Sequence, residues 1–265
     1  MHKRTLFEVK DVYFSYGRGS VLDGVNLKID AGNFYTILGP NGCGKTTLID
    51  ILTGSKFPAS GTIRYLGRNI SKYKKRDLAR EIALVPQDFH IYFEFTVEEI
   101  VMMGRHPYIP RFNAPSALDF QILEHIMEQT GLGKFRDRYI TDLSGGEKQR
   151  VVFVRALAQK TPVLILDEAT SNMDIQYTLD LLDIVSERVR QENGTVIAVM
   201  HDLGLASFDS DKLIFMKKGQ IFSEGNTDEV LTEENIKEVF NVDAKVYFDT
   251  YSNSRQLIFK GRKKR

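Results

Sequence analysis

Apolar positions along this chain fall into two kinds of run. Some alternate with polar residues, as in strands that bury one face. Others are short and unbroken, as in strands covered on both faces. Residues 6–16, 25–29 and 34–38 predict strands, divided by turn residues at 17–19, at Asp23-Gly24 and at Asp30-Ala31-Gly32. A helical pattern follows, with Leu48, Ile49, Ile51 and Leu52 on one side and Gly54 as a stop. Residues 62–65, after Pro58-Ala59-Ser60-Gly61, predict another strand and so an antiparallel layer beside the core. Residues 71–81 predict a solvated helix face with Lys72, Lys74, Lys75, Arg76 and Arg80. Ile82 to Val85, leading to Pro86 and Gln87, predicts a short buried strand.

From 88 to about 140 the character changes. Phe89, Tyr92, Phe93 and Phe95 crowd together. Helical patterns follow at 97–104 and 119–131, with Pro107, Pro110 and Pro115 between them, so a mostly helical insertion is expected. The unbroken runs 163–166 and 196–200 predict parallel strands, joined through a helix at 179–189. A hairpin at 213–222, a helix near 226–240 and a strand pair around 245–259 complete the chain, which ends in a basic Gly261-Arg262-Lys263-Lys264-Arg265. The expected organisation is one domain over 1–265. Its core and β layer take about 1–87 and 160–240, its helical part about 88–159, and its final strands and basic tail 241–265.

Four apolar runs end in chemistry. The first leads into Gly39-Pro40-Asn41-Gly42-Cys43-Gly44-Lys45-Thr46, the spacing of a phosphate-binding loop between a strand and a helix. Its glycines let backbone N–H groups approach phosphate oxygens, and the helix start adds a positive dipole end. Lys45 is placed to reach the β- and γ-phosphates, and Thr46 to offer its hydroxyl to Mg²⁺; Thr47 joins the nucleotide-binding set. The other runs lead to Gln87, to Asp167 with Glu168, and to His201. In an open α/β sheet, ligands bind beyond the carboxyl ends of the strands. If these strands are parallel neighbours, the four residues surround the γ-phosphate. Asp167 then holds Mg²⁺, Glu168 serves as general base or orients water, His201 donates to the γ-phosphate or positions that water, and Gln87 joins the metal or water shell.

Leu143-Ser144-Gly145-Gly146-Glu147 precedes a further helical pattern. Ser144 with Glu147 is a capping-box pairing. Gly145 and Gly146 expose N–H groups at a positive helix end, which makes a second anion site. Both sites belong to one nucleotide only if the fold joins them or if a second copy supplies the second.

Taken in order, these motifs resemble those of ATP-binding cassette (ABC) ATPases, the nucleotide-hydrolysing subunits of transporters. The resemblance covers most of the chain. Tyr16 matches the aromatic that stacks on adenine. Residues 39–46 match Walker A, Gln87 the Q-loop, 143–147 the family signature, 163–168 Walker B, Ser171-Asn172-Met173-Asp174 the D-loop, and His201 the switch histidine. Glu147 stands where glutamine is commonest, and Ala169 where proline is usual. The resemblance implies an α/β fold: a P-loop NTPase (RecA-like) core with an antiparallel β subdomain and a helical subdomain insertion. It further implies ATP and Mg²⁺ as ligands and a head-to-tail homodimer, in which Ser144, Gly145 and Gly146 serve the partner's ATP. Gly104-Arg105-His106-Pro107-Tyr108 resembles a stretch of iron–siderophore, haem and cobalamin importer ATPases, with Tyr108 in place of histidine. Integral-membrane permease subunits are then the partners, with a substrate-binding protein acting indirectly. The 89–95 aromatic cluster is expected to receive a permease helix.

Composition narrows this little further. The chain has 265 residues, 27% charged and 42% hydrophobic, with a formal net charge of +1. That balance gives no argument for nucleic acid. The rival reading, a mechanochemical cassette ATPase acting on ribosomes or DNA, is disfavoured by the single cassette and that charge. No stretch approaches the roughly 18 apolar residues of a membrane span, and the N-terminus has no signal-peptide apolar region. The expected location is the cytoplasmic face of the membrane, held through a permease. The single cysteine, Cys43, excludes an internal disulfide. Beside Lys45 and a helix start, its thiol is expected to have a lowered pKa.

Overall fold

The computed structural model describes residues 4–17, 19–89, 91, 93–170 and 173–261. In chain order the strands and helices are β1 (Thr5–Tyr16), β2 (Gly19–Asp30), β3 (Phe34–Leu38), α1 (Lys45–Leu52), β4 (Ser60–Tyr65), β5 (Arg68–Asn69) and α2 (Lys75–Leu78). Next come β6 (Ile82–Val85), α3 (Val97–Met102), α4 (Ala117–Gln129), α5 (Gly145–Ala158), β7 (Val163–Asp167) and α6 (Ile175–Glu192). The last are β8 (Thr195–Val199), α7 (Leu203–Asp209), β9 (Lys212–Lys217), β10 (Gln220–Asn226), α8 (Thr227–Val230), α9 (Glu233–Phe240), β11 (Ala244–Asp249) and β12 (Ser254–Phe259). Among the described residues no helix is long and apolar enough to cross a membrane.

The chain divides into two compact units, one of Met1–Lys72 with Thr195–Arg265 and one of Tyr73–Gly194. In the first unit, β2, β1, β4 and β5 form an antiparallel sheet in that order. The alternation read from the sequence is visible in β1, where Phe7, Val9 and Val12 are buried and Lys10 and Asp11 exposed. A second set of strands runs β10, β9, β3, β8. Here β3 is parallel to both β8 and β9, and β9 and β10 form the hairpin. Every residue of β3 and of β8 is buried, as their unbroken apolar runs require. Full burial of side chains such as Ile37 and Leu38 is worth about 1.5–3 kcal/mol each. The antiparallel pair β11 and β12 closes the unit.

In the second unit, β6 and β7 are parallel and accompanied by α2 to α6. Three helices here start with complete capping boxes: Thr96 with Glu99, Ser116 with Asp119, and Ser144 with Glu147. Each box satisfies amides that the helix itself leaves unbonded.

Three local expectations change. The helix expected near 226–240 is two helices. The Thr232 hydroxyl accepts from Asn235 N at 3.2 Å and starts a new helix after Leu231 leaves helical geometry. The segment 71–81 holds the end of a short 3-10 helix, Ile70–Lys72, and one turn of α-helix, α2, and its arginines do not simply face water. Arg76 Nε and Arg80 Nε donate to Pro107 O at 2.9 and 2.8 Å. Helix α7, absent from the sequence reading, is capped by Asp202, whose carboxylate accepts from Gly204 N at 2.7 Å and Leu205 N at 3.0 Å.

Candidate functional site

In the first unit, β3 delivers the chain into the glycine loop and α1 receives it. A Cβ at Gly39 would stand 2.3 Å from Met216 O and 2.8 Å from Cys43 Sγ, so no larger residue fits. Gly44 has φ 104°, and a Cβ there would meet Val21 O at 2.8 Å. The turn is closed by Cys43 N donating to Pro40 O at 3.3 Å. It is braced from outside: Gly219 N donates to Cys43 O at 3.1 Å, and Asp23 N to Gly219 O at 2.9 Å. Lys45 is 5% exposed, and its ammonium lies along the loop, donating to Gly39 O at 2.8 Å and Pro40 O at 3.2 Å. Helix α1 has no side-chain cap and no acidic residue in its first turn. A loop held tightly by its neighbours at Gly39 and Gly44, a buried cation along it and an uncapped helix start together fit a chain of phosphates.

His201 leaves the neighbouring strand at the same level. Ile37 is paired with Val199, so Gly39 and His201 each lie two residues beyond one rung of the ladder. Tyr16 ends β1 with its ring 53% exposed. Phe14 meets that ring edge-on at 5.0 Å, and Lys56 Nζ lies 4.8 Å from its centroid.

The second unit repeats the register. Val85 is paired with Leu166, so Gln87 and Glu168 each lie two residues beyond that rung. Gln87 Nε2 donates to Glu168 Oε2 at 2.6 Å. Asp167, the last residue of β7, is 4% exposed. Glu168 has φ 50°, a left-handed conformation that costs a non-glycine residue of order 1 kcal/mol or more. The chain therefore turns sharply between two adjacent carboxylates and presents them differently. Among the described residues no three of His, Cys, Asp and Glu converge as a metal cage. A buried carboxylate such as Asp167 suits Mg²⁺, which takes few protein ligands alongside phosphates and water.

Ser144 caps α5 as the sequence reading has it. Its hydroxyl donates to Glu147 Oε2 at 2.7 Å, its N–H donates to the same oxygen at 2.8 Å, and Glu147 N returns to Ser144 Oγ at 3.4 Å. The Ser144 hydroxyl, followed by its backbone N–H, holds the Glu147 carboxyl below the usual carboxylate range. A Cβ at Gly145 would meet nothing within 4 Å, so this chain gives no internal steric reason for that glycine. Of the D-loop, Ser171 and Asn172 lie outside the described residues. Asp174 caps α6 by accepting from Tyr177 N at 3.0 Å.

Three expectations acquire a different physical content. Burial, more than any neighbour, pushes the Cys43 thiol up, against the smaller effect of Lys45, so the expected lowered pKa is reversed. In the stretch from Gly104 to Tyr108, Arg105 is buried and paired with Asp119 at 2.9 Å, and its guanidinium also donates to Ala158 O at 2.9 Å. A Cβ at Gly104 would stand 2.2 Å from Arg155 O. That stretch is a packing device whatever else it marks. In the aromatic cluster, Phe89 is half-buried against the Arg155 guanidinium at 4.4 Å, while Phe93 is exposed and Tyr92 lies outside the described residues. Lys56 and Gln149 were not singled out from the sequence. Gln149 Nε2 donates to Pro86 O at 3.4 Å, next to Gln87, and no local pattern marks either residue.

The ABC transporter family matches residues 22–171, more than half of the chain. A cobalamin import ATP-binding protein of Halobacterium salinarum is 39% identical over 230 residues, covering 87% of this chain and 57% of that protein. The chain thus spans little more than half the length of such relatives. An iron(3+)-hydroxamate import ATP-binding protein of Bacillus subtilis is 34% identical over 238 residues, covering 90% of this chain and 88% of that one. A solved structure described as an inward-facing, metal-chelate type ABC transporter superposes with a TM-score of 0.83 at 27% identity, covering 98% of both chains. The α/β fold is that of the P-loop cassettes, and the chain belongs to the ABC transporter family.

Proposed function

We propose that this chain binds and hydrolyses Mg-ATP as the ATPase subunit of an importer for a metal chelate, of the iron–siderophore, haem or cobalamin kind. Gly39 to Gly44 cradle the phosphates, Lys45 draws in the β- and γ-phosphates, and Thr46 with Asp167 hold Mg²⁺, which neutralises charge on the phosphate oxygens. Thr47 extends the cradle, and Tyr16 stacks on the base. Glu168 accepts a proton from the attacking water, His201 orients that water or donates to the γ-phosphate, and Gln87 reports on the γ-phosphate through Glu168 and the metal shell.

The second phosphate-binding helix start serves a second copy. Ser144, Gly145 and Gly146 close over the ATP of the partner in a head-to-tail dimer, and the open space at Gly145 supports that reading. Permease subunits hold the dimer at the cytoplasmic face of the membrane, and a substrate-binding protein acts on the far side. The importer names of the relatives support a metal-chelate cargo.

The observation that carries the catalytic reading is the 2.6 Å hydrogen bond from Gln87 to Glu168, one residue beyond the buried Asp167. The test is Glu168→Gln. Turnover is expected to fall by about 10²–10⁴, the usual worth of a positioned base, with ATP binding kept and an ATP-dependent dimer accumulating in size-exclusion chromatography. Turnover at the parent rate overturns the assignment. Ser144→Arg is expected to block that dimer and leave nucleotide affinity of the monomer unchanged. Co-purification with a permease and chelate uptake in reconstituted vesicles test the transport reading.

A further inference from the structure

The turn that follows α1, the helix that starts at the phosphate loop, reaches the aromatic ring at Tyr16. Gly54, with φ 68°, ends α1 and turns the chain back on itself. Ser55 N and Lys56 N both donate to Asp50 O, at 2.8 and 3.0 Å. The turn brings Lys56 alongside its own helix, where Nζ meets Asp50 Oδ2 at 2.7 Å. The same ammonium donates to the Tyr16 phenol oxygen and lies 4.8 Å from the ring centroid. Phe14 supports the ring edge-on, with the two planes at 80°. Tyr16 and Lys56 are 40 residues apart in sequence, and nothing local would bring them together.

We propose that the Asp50–Lys56–Tyr16 linkage is a positioning device that fixes the base platform to the phosphate-loop helix. Lys56 thereby sets how tightly the purine of the nucleotide is held, and leaves the grip on the triphosphate alone. The inference rests on the reading of Tyr16 as the base platform. Its physical content is preorganisation: a half-exposed ring that is already pinned loses less freedom when a base stacks on it. Lys56 is a positioning residue, since it acts through Tyr16. The linkage is partly exposed, with side-chain accessibilities of 37% for Lys56 and 23% for Asp50. Its effect is therefore modest.

Two ligands separate the possibilities. ATP and inorganic tripolyphosphate are titrated by calorimetry against the full chain and its Lys56→Ala, Lys56→Arg and Tyr16→Phe variants. Lys56→Ala is expected to weaken ATP by about two- to fivefold, the scale of one exposed ion pair, with tripolyphosphate unchanged. Lys56→Arg is expected to restore ATP affinity. Tyr16→Phe keeps the ring and removes the acceptor, so it should weaken ATP similarly, and the double variant should add nothing further. ATP affinity untouched by Lys56→Ala overturns the inference, as do parallel losses for ATP and tripolyphosphate. Additive effects of Lys56→Ala and Tyr16→Phe overturn it too. A parent protein that binds neither ligand overturns the nucleotide reading itself.

Discussion

Gln87 and Glu168 stand two residues beyond paired positions of adjacent parallel strands, and the Gln87 amide donates to the Glu168 carboxylate at 2.6 Å. The register, not the loop conformation alone, brings the two side chains to one place. Substituting Gln87→Glu puts a second carboxylate within hydrogen-bonding distance of Glu168. Two carboxylates so close share a proton. The acidic limb of the pH–rate profile for ATP hydrolysis should then move to higher pH, while Gln87→Ala lowers the rate without that shift. A steady-state pH profile of all three proteins checks this.

Arg105 and Asp119 form an ion pair with side-chain accessibilities of 5% and 7%. Burial alone would raise the Asp119 carboxyl. The hydrogen bonds from Ser116 and the Arg105 guanidinium outweigh it and hold the group below the usual carboxylate range. Asp119→Ala leaves Arg105 buried without its partner and also breaks the Ser116 capping box. A loss of about 3–5 kcal/mol is expected in urea unfolding. Arg105→Met with Asp119→Leu together should recover much of that loss, because no buried charge then remains.

Glu147 is held in its ionised form by Ser144. A carboxyl with a lowered folded-state pKa contributes stability that is present above its ordinary pKa. That contribution is lost as pH falls through the folded value. Unfolding midpoints of the parent should therefore drop on acidification more steeply than those of Glu147→Gln, which keeps the box without the charge. Ser144→Ala should cost about 0.5–2 kcal/mol near neutral pH, the worth of an N-cap.

Cys43 is buried, and burial raises its thiol. Its thiolate fraction at pH 7 lies below that of an exposed cysteine, so iodoacetamide should label it more slowly than a free thiol. The rate should climb as pH is raised into the alkaline range. Labelling followed by intact-mass spectrometry checks the order. Cys43→Ala should keep the loop, whereas Cys43→Val should disturb it, because Gly39 already lies close beneath Sγ.

The sequence by itself determined what depends on neighbours along the chain. Gly39 to Thr46 announce a phosphate loop because the close approach at Gly39 and the positive φ at Gly44 restrict those positions to glycine. Ser144 and Glu147 announce a capped helix because three residues separate a hydroxyl from the amide it accepts. The unbroken runs at β3, β7 and β8 announce buried parallel strands, since such strands meet apolar surroundings on both faces. Tertiary structure decided what depends on residues far apart. It put Gln87 on Glu168, folded Lys56 against Tyr16, and turned Arg105 into a buried partner for Asp119. It also reversed the expectation at Cys43. A helix start and a lysine are visible in sequence, while the desolvation that outweighs them comes from chain that packs around the loop only after folding. The phosphate loop could be read letter by letter. Its bracing by the Gly219 turn, its steric contact with Met216 and the linkage from its helix to Tyr16 exist only in three dimensions.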